Sequence, residues 1–171
     1  MKHKIDLEQT KNGMIPFHKT NQSVAMGQEL KYADITEKII GCAMHVHRKM
    51  KAGYSELIYS RCSAIEFDKI PLAYKKELEL PIWYDEVVVG KRRVDFMVVD
   101  KIVVEIKAIS ELTDKEVNQA LNYLENHRKE VGPLINFGSK SLQFKRIINQ
   151  KRIDANNNPT NPYKNPTNPR L

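Results

Sequence analysis

The stretch DFMVVDKIVVEIKA, residues 95–108, constrains the fold more than any other part of the sequence. Its apolar residues run on both sides of Asp100 and Lys101, which is typical of two strands joined by a tight connection. Because side chains alternate along a strand, Glu105 and Lys107 share one face of the second strand, opposite an apolar face. A strand this apolar with an acid and a base on one face indicates either a solvent-facing edge or a functional site.

The register of this hairpin decides whether two carboxylates meet. A three-residue loop places Asp95 directly opposite Glu105, with both side chains on one face. A two-residue turn at Asp100 and Lys101 instead pairs Asp95 with Ile106 and separates the carboxylates. Facing carboxylates repel each other unless a cation lies between them, and Mg²⁺ suits that position because it takes hard oxygen ligands. The alternative to a metal site is a half-exposed polar face with ordinary ion pairs.

The segments around the hairpin predict an α/β or α+β domain, in which a mixed sheet is flanked by helices. Gly90 is predicted to mark a turn, and Pro81 a bend or an edge position. The predicted elements are helices over residues 34–50, 55–68 and 113–128, extended chain over 72–89, strands over 94–98 and 102–107, and further strands in GPLINFG and FKRIIN.

Two of the predicted helices begin with a capping-box pattern, in which a polar side chain is followed three residues later by Glu. Asp34 and Glu37 form one such pair, and Thr113 and Glu116 form the other. Each pair predicts that the helix starts at that position.

The ends of the chain differ in composition from its middle. Residues 1–32 are polar and without clear periodicity, so we expect a flexible extension. Residues 154–171 contain the tandem repeat NPTNPYK and NPTNPRL, whose prolines exclude a coiled coil and predict a disordered tail. The domain itself is predicted over residues 33–153.

Charge and cysteine content narrow the class of protein. The formal net charge of +7 favours polyanions such as nucleic acid as partners. Cys42 and Cys62 fit neither a disulfide framework nor a zinc site, so no disulfide-linked partner is expected. No apolar run is long enough to cross a membrane, and the N-terminus lacks the core of a signal peptide. We therefore expect a soluble cytoplasmic protein that does not bind membranes, with its oligomeric state left open.

Four motifs in order resemble those of the small bacterial GxxExxY family. They are GYSELIY at 53–59, VDFMVVDKIVVEIKA at 94–108, QALNY at 119–123 and GPLINFG at 132–138. By resemblance this family belongs to the PD-(D/E)XK nuclease superfamily, close to its RecB-like branch. The resemblance covers about residues 33–149 and implies a restriction-endonuclease-like core.

The resemblance also implies roles for individual residues. Asp95 and Glu105 would bind a divalent metal, Mg²⁺ or Mn²⁺, and Lys107 would assist the attacking water. The peptide carbonyl of Ile106 would be a further ligand, and Glu56 on the preceding helix would complete the site.

Further residues are candidates for the edge of the site or for DNA. Gln119 and Tyr123 match the Q-x-x-x-Y element of the RecB-like branch, and their spacing places them on one side of the third helix. Four basic residues are candidates for nucleic-acid contact, namely Arg92, Arg93, Lys145 and Arg146.

The sequence therefore predicts a metal-dependent nuclease that hydrolyses phosphodiester bonds in DNA. The alternative is a catalytically silent module with the same fold, which binds nucleic acid or a protein partner.

Overall fold

A mixed five-stranded sheet forms the centre of the chain in a computed structural model that describes residues 31–84 and 87–157. The strands lie in sequence order, and every neighbouring pair is antiparallel except β3 and β4, which are parallel. This sheet and its flanking helices confirm the predicted fold class. The elements are α1 Ala33–Met50, α2 Glu56–Asp68, β1 Tyr74–Tyr84, β2 Val87–Val98, β3 Ile102–Lys107, α3 Asp114–Asn126, β4 Val131–Asn136, β5 Gln143–Ile148 and α4 Gln150–Asn157.

The sheet carries apolar side chains on both of its faces. On one face, buried residues of α1 and α2 pack against Phe96 and Val98 of β2 and the apolar face of β3. On the other face, Ala120 and Leu124 of α3 pack against Met97 and other strand residues. Because both faces are covered, β3 and β4 are buried along almost their whole length, and any charged side chain there lies in a protein interior.

The β2–β3 hairpin has the register that a three-residue loop produces. Met97 pairs with Val103 and Val98 pairs with Ile102. The loop is made possible by left-handed backbone conformations at Val99 and Asp100, with φ of 47° and 57°. Of the two registers that the sequence leaves open, the structure therefore has the one that brings Asp95 toward Glu105.

Strict alternation of side chains breaks where β2 reaches Asp95. Alternation along a regular strand would place Val94, Phe96 and Val98 on one face. Phe96 and Val98 do pack against α1 and α2, but Val94 packs in the cluster beneath α3. The position opposite Asp95 on β1 is Glu77, which has a positive φ of 54°. The alternation of side chains between the two faces of β2 is therefore interrupted at Asp95. Local irregularities of this kind change the direction of a side chain.

Two of three further expectations about local structure need correction. Gly90 does not mark a turn, since β2 runs through it and pairs it with Ile82. Pro81 does lie in an edge strand, β1. Helix α4 continues beyond residue 154, where the tail was expected to begin. Residues 1–30 and 158–171, which include the rest of both predicted extensions, lie outside the described residues. Within the described residues, no helix has the length and apolar character needed to span a bilayer.

Only one of the two predicted capping boxes forms. Thr113 caps α3, because its side chain accepts from the Lys115 amide and its own amide donates to Glu116 at 3.0 Å. Asp34 instead lies inside the first turn of α1, whose cap is Tyr32 in a left-handed conformation without a side-chain hydrogen bond.

We expect Thr113→Ala to lower the free energy of unfolding by about 1 kcal/mol, because it removes an N-cap acceptor. Asp34→Ala is the matched control and should lower it by only a few tenths of a kcal/mol, the scale of a first-turn charge on the helix dipole. Urea denaturation of both variants measures the difference. Equal losses in the two variants would contradict the assignment of the cap.

Candidate active site

Two carboxylates meet where β2 and β3 run side by side. Asp95 lies at the irregular position of β2, and its Oδ2 accepts a hydrogen bond of 2.7 Å from the backbone amide of Ile106. Glu105, the neighbour of Leu134 on β4, is only 5% exposed. A carboxylate with so little water around it needs compensation from the protein.

The electrostatics of this pair favour its protonated forms. Burial raises the pKa of Glu105 to about 7, and the negative charge of Asp95 adds to the increase. Burial also raises the pKa of Asp95, although the hydrogen bond from Ile106 opposes that change. Two carboxyl groups with raised pKa values in one place are typical of functional sites.

A guanidinium group lies against the buried carboxylate. Arg92 of β2 approaches Glu105 with 3.7 Å between its Nη2 and the Oε2 of the glutamate. The guanidinium carbon is also 3.8 Å from the ring centroid of Tyr123 on α3. The side chain of Gln119 is near enough to the Tyr123 hydroxyl to lower its pKa, against the larger effect of burial. These side chains form a connected row, Gln119, Tyr123, Arg92 and Glu105, from the surface of α3 to the buried strand.

Lys107 occupies the end of β3, one pleat beyond Glu105, and is half-buried. Its ammonium group is near enough to lower the pKa values of both Asp95 and Glu105, against the larger effect of burial. Its carbonyl oxygen accepts a hydrogen bond of 2.8 Å from the amide of Phe137, the residue that follows β4. The backbone position of Lys107 is therefore fixed by the neighbouring parallel strand.

Sequence reasoning missed the residue that organises the chain after Lys107. Asn136, at the end of β4, is fully buried, and its side chain bonds the amide and the carbonyl of Ile109 at 3.0 and 2.9 Å. It also accepts from the amide of Gly138, where an added Cβ would collide with the Ile109 carbonyl. A buried amide within an apolar strand was the available signal, because such a group must find partners.

Glu56 lies in the first turn of α2 and is exposed. Its negative charge adds to the raised pKa values of Asp95 and Glu105, for which burial is the larger cause. Within residues 31–84 and 87–157, however, no three His, Cys, Asp or Glu side chains are close enough to form a metal-binding cluster. Glu56 therefore influences the charge of the pair but does not form a three-carboxylate metal-binding group with it.

The four basic candidates are not brought together. Arg92 lies inside the site, while the exposed Arg93 is 3.8 Å from the carboxylate of Glu77. Lys145 and Arg146 are on β5, at the other edge of the sheet. Lys145 is exposed, whereas Arg146 is half-buried and donates to the backbone carbonyl of Lys31.

The two carboxyl groups supply oxygen ligands of the kind that a divalent cation prefers. The Oε1 atom of Glu105 is buried, and no group within residues 31–84 and 87–157 forms a hydrogen bond with it. A buried carboxylate oxygen without a partner is costly, and a cation between Glu105 and Asp95 would remove both this cost and the repulsion between them. Because the side chains supply two ligands, the remaining positions would be filled by backbone carbonyl, water or substrate oxygens, as Mg²⁺ commonly allows.

Comparison with known proteins places this geometry in context. A family model for the PD-(D/E)XK nuclease superfamily matches residues 33–147. No curated protein matches the chain. Among solved structures, the crystal structure of SSO0001 is similar with a TM-score of 0.45 and 15% sequence identity, over 72% of this chain and 65% of that one. The chain thus spans less than two thirds of SSO0001.

Glu105→Gln should make the metal-free protein more stable at neutral pH. The raised pKa means that folding stabilises the protonated form, so this contribution is complete below about pH 4.5 and is lost as the pH rises to about 7. A change from 4.5 to about 7 corresponds to roughly 3 kcal/mol.

Thermal or urea unfolding in chelator across pH 4 to 8 measures this difference. The stability of Glu105→Gln relative to the wild type should rise through that interval, and its Mg²⁺ affinity in calorimetry should fall. Glu111→Gln, an exposed carboxylate outside the site, is the control. Parallel pH profiles for wild type and Glu105→Gln would contradict the assignment.

Proposed function

The chain belongs to the PD-(D/E)XK nuclease superfamily, and we propose that it is a metal-dependent nuclease that hydrolyses phosphodiester bonds in DNA. One observation carries the proposal. A buried carboxylate with an unpartnered oxygen, Glu105, lies beside a second carboxylate and near a half-buried lysine at the end of the same strand. The motifs of the GxxExxY family and of the RecB-like branch support placing the chain near those groups within the superfamily.

The carboxylates of Asp95 and Glu105, with the carbonyl of Ile106, would hold Mg²⁺ or Mn²⁺. Such an ion, when bound, lowers the pKa of water and neutralises charge on phosphate oxygens. The bond from the Ile106 amide keeps Asp95 in one orientation, and the strand pair fixes Glu105 beside it. A site on a rigid sheet needs little reorganisation when substrate arrives.

Lys107 would orient the attacking water and stabilise the negative charge that grows on the phosphate. Its position follows from the end of β3, which the Phe137 amide fixes through the Lys107 carbonyl. In the hydrolysis, the water oxygen forms a bond to phosphorus while the bond to one ester oxygen breaks. The proton from the water passes to solvent and the leaving oxygen takes one up. A compact ammonium is suited to this position because it concentrates charge at a point.

The row formed by Gln119, Tyr123 and Arg92 would restrain Glu105 from the α3 side. Stacking on Tyr123 limits the freedom of the guanidinium, and the guanidinium offsets part of the carboxylate charge. Gln119 and Tyr123 lie nearer the surface and would contact the nucleic acid at the edge of the site.

The test of catalysis compares Lys107→Arg with the wild type on single-stranded and double-stranded DNA. Arginine is longer, planar and forked, so it cannot reproduce the position of the ammonium. We expect cleavage to fall by at least about a hundredfold, the scale of a lost transition-state donor, while Mg²⁺ binding is largely kept.

Two controls accompany that comparison. Asp95→Ala should lose both metal binding and cleavage, and Lys101→Arg, an exposed change in the loop before β3, should lose neither. If the wild type binds Mg²⁺ or Mn²⁺ but cuts neither DNA nor RNA, the protein is a binding module and not a nuclease. Equal cleavage by wild type and Lys107→Arg would remove the role given to Lys107.

DNA affinity should fall steeply as salt is raised and should survive Asp95→Ala, because phosphate contacts by basic side chains dominate it. The slope of log affinity against log salt concentration should become shallower by about one in Arg93→Gln and in Lys145→Gln, because each variant releases about one counterion fewer. Arg146→Gln should leave it unchanged, since that guanidinium already donates to the Lys31 carbonyl. Fluorescence anisotropy at several salt concentrations measures these slopes, and a flat dependence in the wild type would refute phosphate binding.

A further inference from the structure

Helix α2 begins at a turn that one tyrosine hydroxyl holds together. The hydroxyl of Tyr59 donates to the carbonyl of Lys51 at 2.7 Å and accepts from the amide of Tyr54 at 3.2 Å. Tyr59 is completely buried, so both bonds form away from water. They tie together the two ends of the turn between α1 and α2, and this turn precedes Glu56 directly.

The backbone of this turn is one that ordinary residues adopt rarely. Gly53 has φ of 120°, and Lys51 has φ of 61°. A turn with two such residues stays in one conformation only where surrounding contacts favour it. The two hydrogen bonds to the Tyr59 hydroxyl are contacts of that kind. They span Gly53, since Lys51 lies before it and Tyr54 after it.

The spacing of Glu56 and Tyr59 places both on one side of α2. Residues three apart are neighbours on a helix surface, so the buried ring of Tyr59 orients the face that carries Glu56. Helix α2 packs against β3, the strand that carries Glu105 and Lys107. The position of Glu56 relative to that strand is therefore set in part by Tyr59.

The ring of Tyr59 connects the same turn to the other half of the site. It stacks on Phe137, with centroids 4.7 Å apart and an angle of 11° between the planes. The amide of Phe137 donates to the carbonyl of Lys107. One side chain thus contacts, through two partners, the turn before Glu56 and the end of the strand that carries Lys107.

We propose that Tyr59 is a positioning residue, which holds Glu56 in register with Asp95, Glu105 and Lys107. The inference rests on the proposed metal-dependent function of that site. It assigns to the spacing G-x-x-E-x-x-Y a physical purpose: a glycine permits the turn, a glutamate faces the carboxylate pair, and a tyrosine clamps the turn in place.

The test is Tyr59→Phe, which removes the hydroxyl but keeps the ring that stacks on Phe137. We expect Mg²⁺ affinity, measured by calorimetry, to fall about tenfold, at the lower end of the loss that follows when a group supporting a metal site is removed. Glu56→Gln should lose a similar factor. Because the hydroxyl acts through Glu56, the double variant should lose no more than Glu56→Gln alone.

Tyr74→Phe is the matched control. Its hydroxyl also bonds within the described chain, to Asp68 at 2.7 Å and to the carbonyl of Ala64 at 3.3 Å, but these groups belong to the other end of α2. It removes the same atom from a partly buried tyrosine. Mg²⁺ affinity should stay at the wild-type value in this variant.

Hydrogen exchange of the Tyr54 amide gives a readout that needs no metal. Its protection should fall in Tyr59→Phe and stay unchanged in Tyr74→Phe, because the Tyr59 hydroxyl is its acceptor. If protection of the Tyr54 amide is unchanged in Tyr59→Phe, the Tyr59 hydroxyl does not hold the turn and the inference fails.

The metal measurements separate the two proposals. If the wild type binds Mg²⁺ and Tyr59→Phe binds it equally well, or if the losses from Tyr59→Phe and Glu56→Gln multiply in the double variant, Tyr59 does not act through Glu56 and the inference fails. If the wild type binds neither Mg²⁺ nor Mn²⁺, the proposed function fails, and the exchange of the Tyr54 amide alone decides whether the clamp exists.

Discussion

A carboxylate buried in a sheet is the constraint on which the rest of this structure depends. Glu105 lies in a strand that is otherwise apolar except for Lys107 at its end, with helices covering both faces of the sheet. Taking a charge out of water is expensive, so the surroundings must either supply opposite charge or keep the group neutral. Arg92 and Lys107 supply positive charge, while Asp95 and Glu56 add to the demand for it. The carboxylates of the site therefore repel each other in a buried position, and a divalent cation would reduce this repulsion.

The sequence predicted the sheet well because the signals there are local. Alternating and continuous apolar segments located the strands, and the Thr113 capping box located the start of α3. The hairpin register was left open because the outcome depended on Val99 and Asp100 adopting left-handed conformations, which neither residue favours by itself. The turn expected at Gly90 was wrong, because glycine permits a turn without requiring one, and the pairing with β1 kept the strand intact.

The sequence named residues of the candidate site but not the contacts that support them. Side-chain alternation and the family resemblance together pointed to Asp95, Glu105 and Lys107, and the hairpin register brings the first two toward each other. Nothing in the sequence showed that Arg92 stacks on a tyrosine of α3, or that Asn136 holds the chain beyond Lys107. Such contacts join elements far apart along the chain, and no local pattern records which elements will pack against each other.

The parallel pairing of β3 and β4 has a consequence for how the protein is made. Lys107 is fixed by an amide that follows β4, and the ring of Tyr59 stacks on that same residue, Phe137. Contacts between residues so distant in sequence form late, because the loop between them must close first. During synthesis, a chain that has emerged only as far as α3 contains every acidic residue of the site but lacks β4 and Phe137, whose amide fixes the backbone of Lys107. Completion of the site therefore requires completion of the domain, and a product truncated after α3 would carry the carboxylates without the contacts that fix Lys107 and the ring of Tyr59.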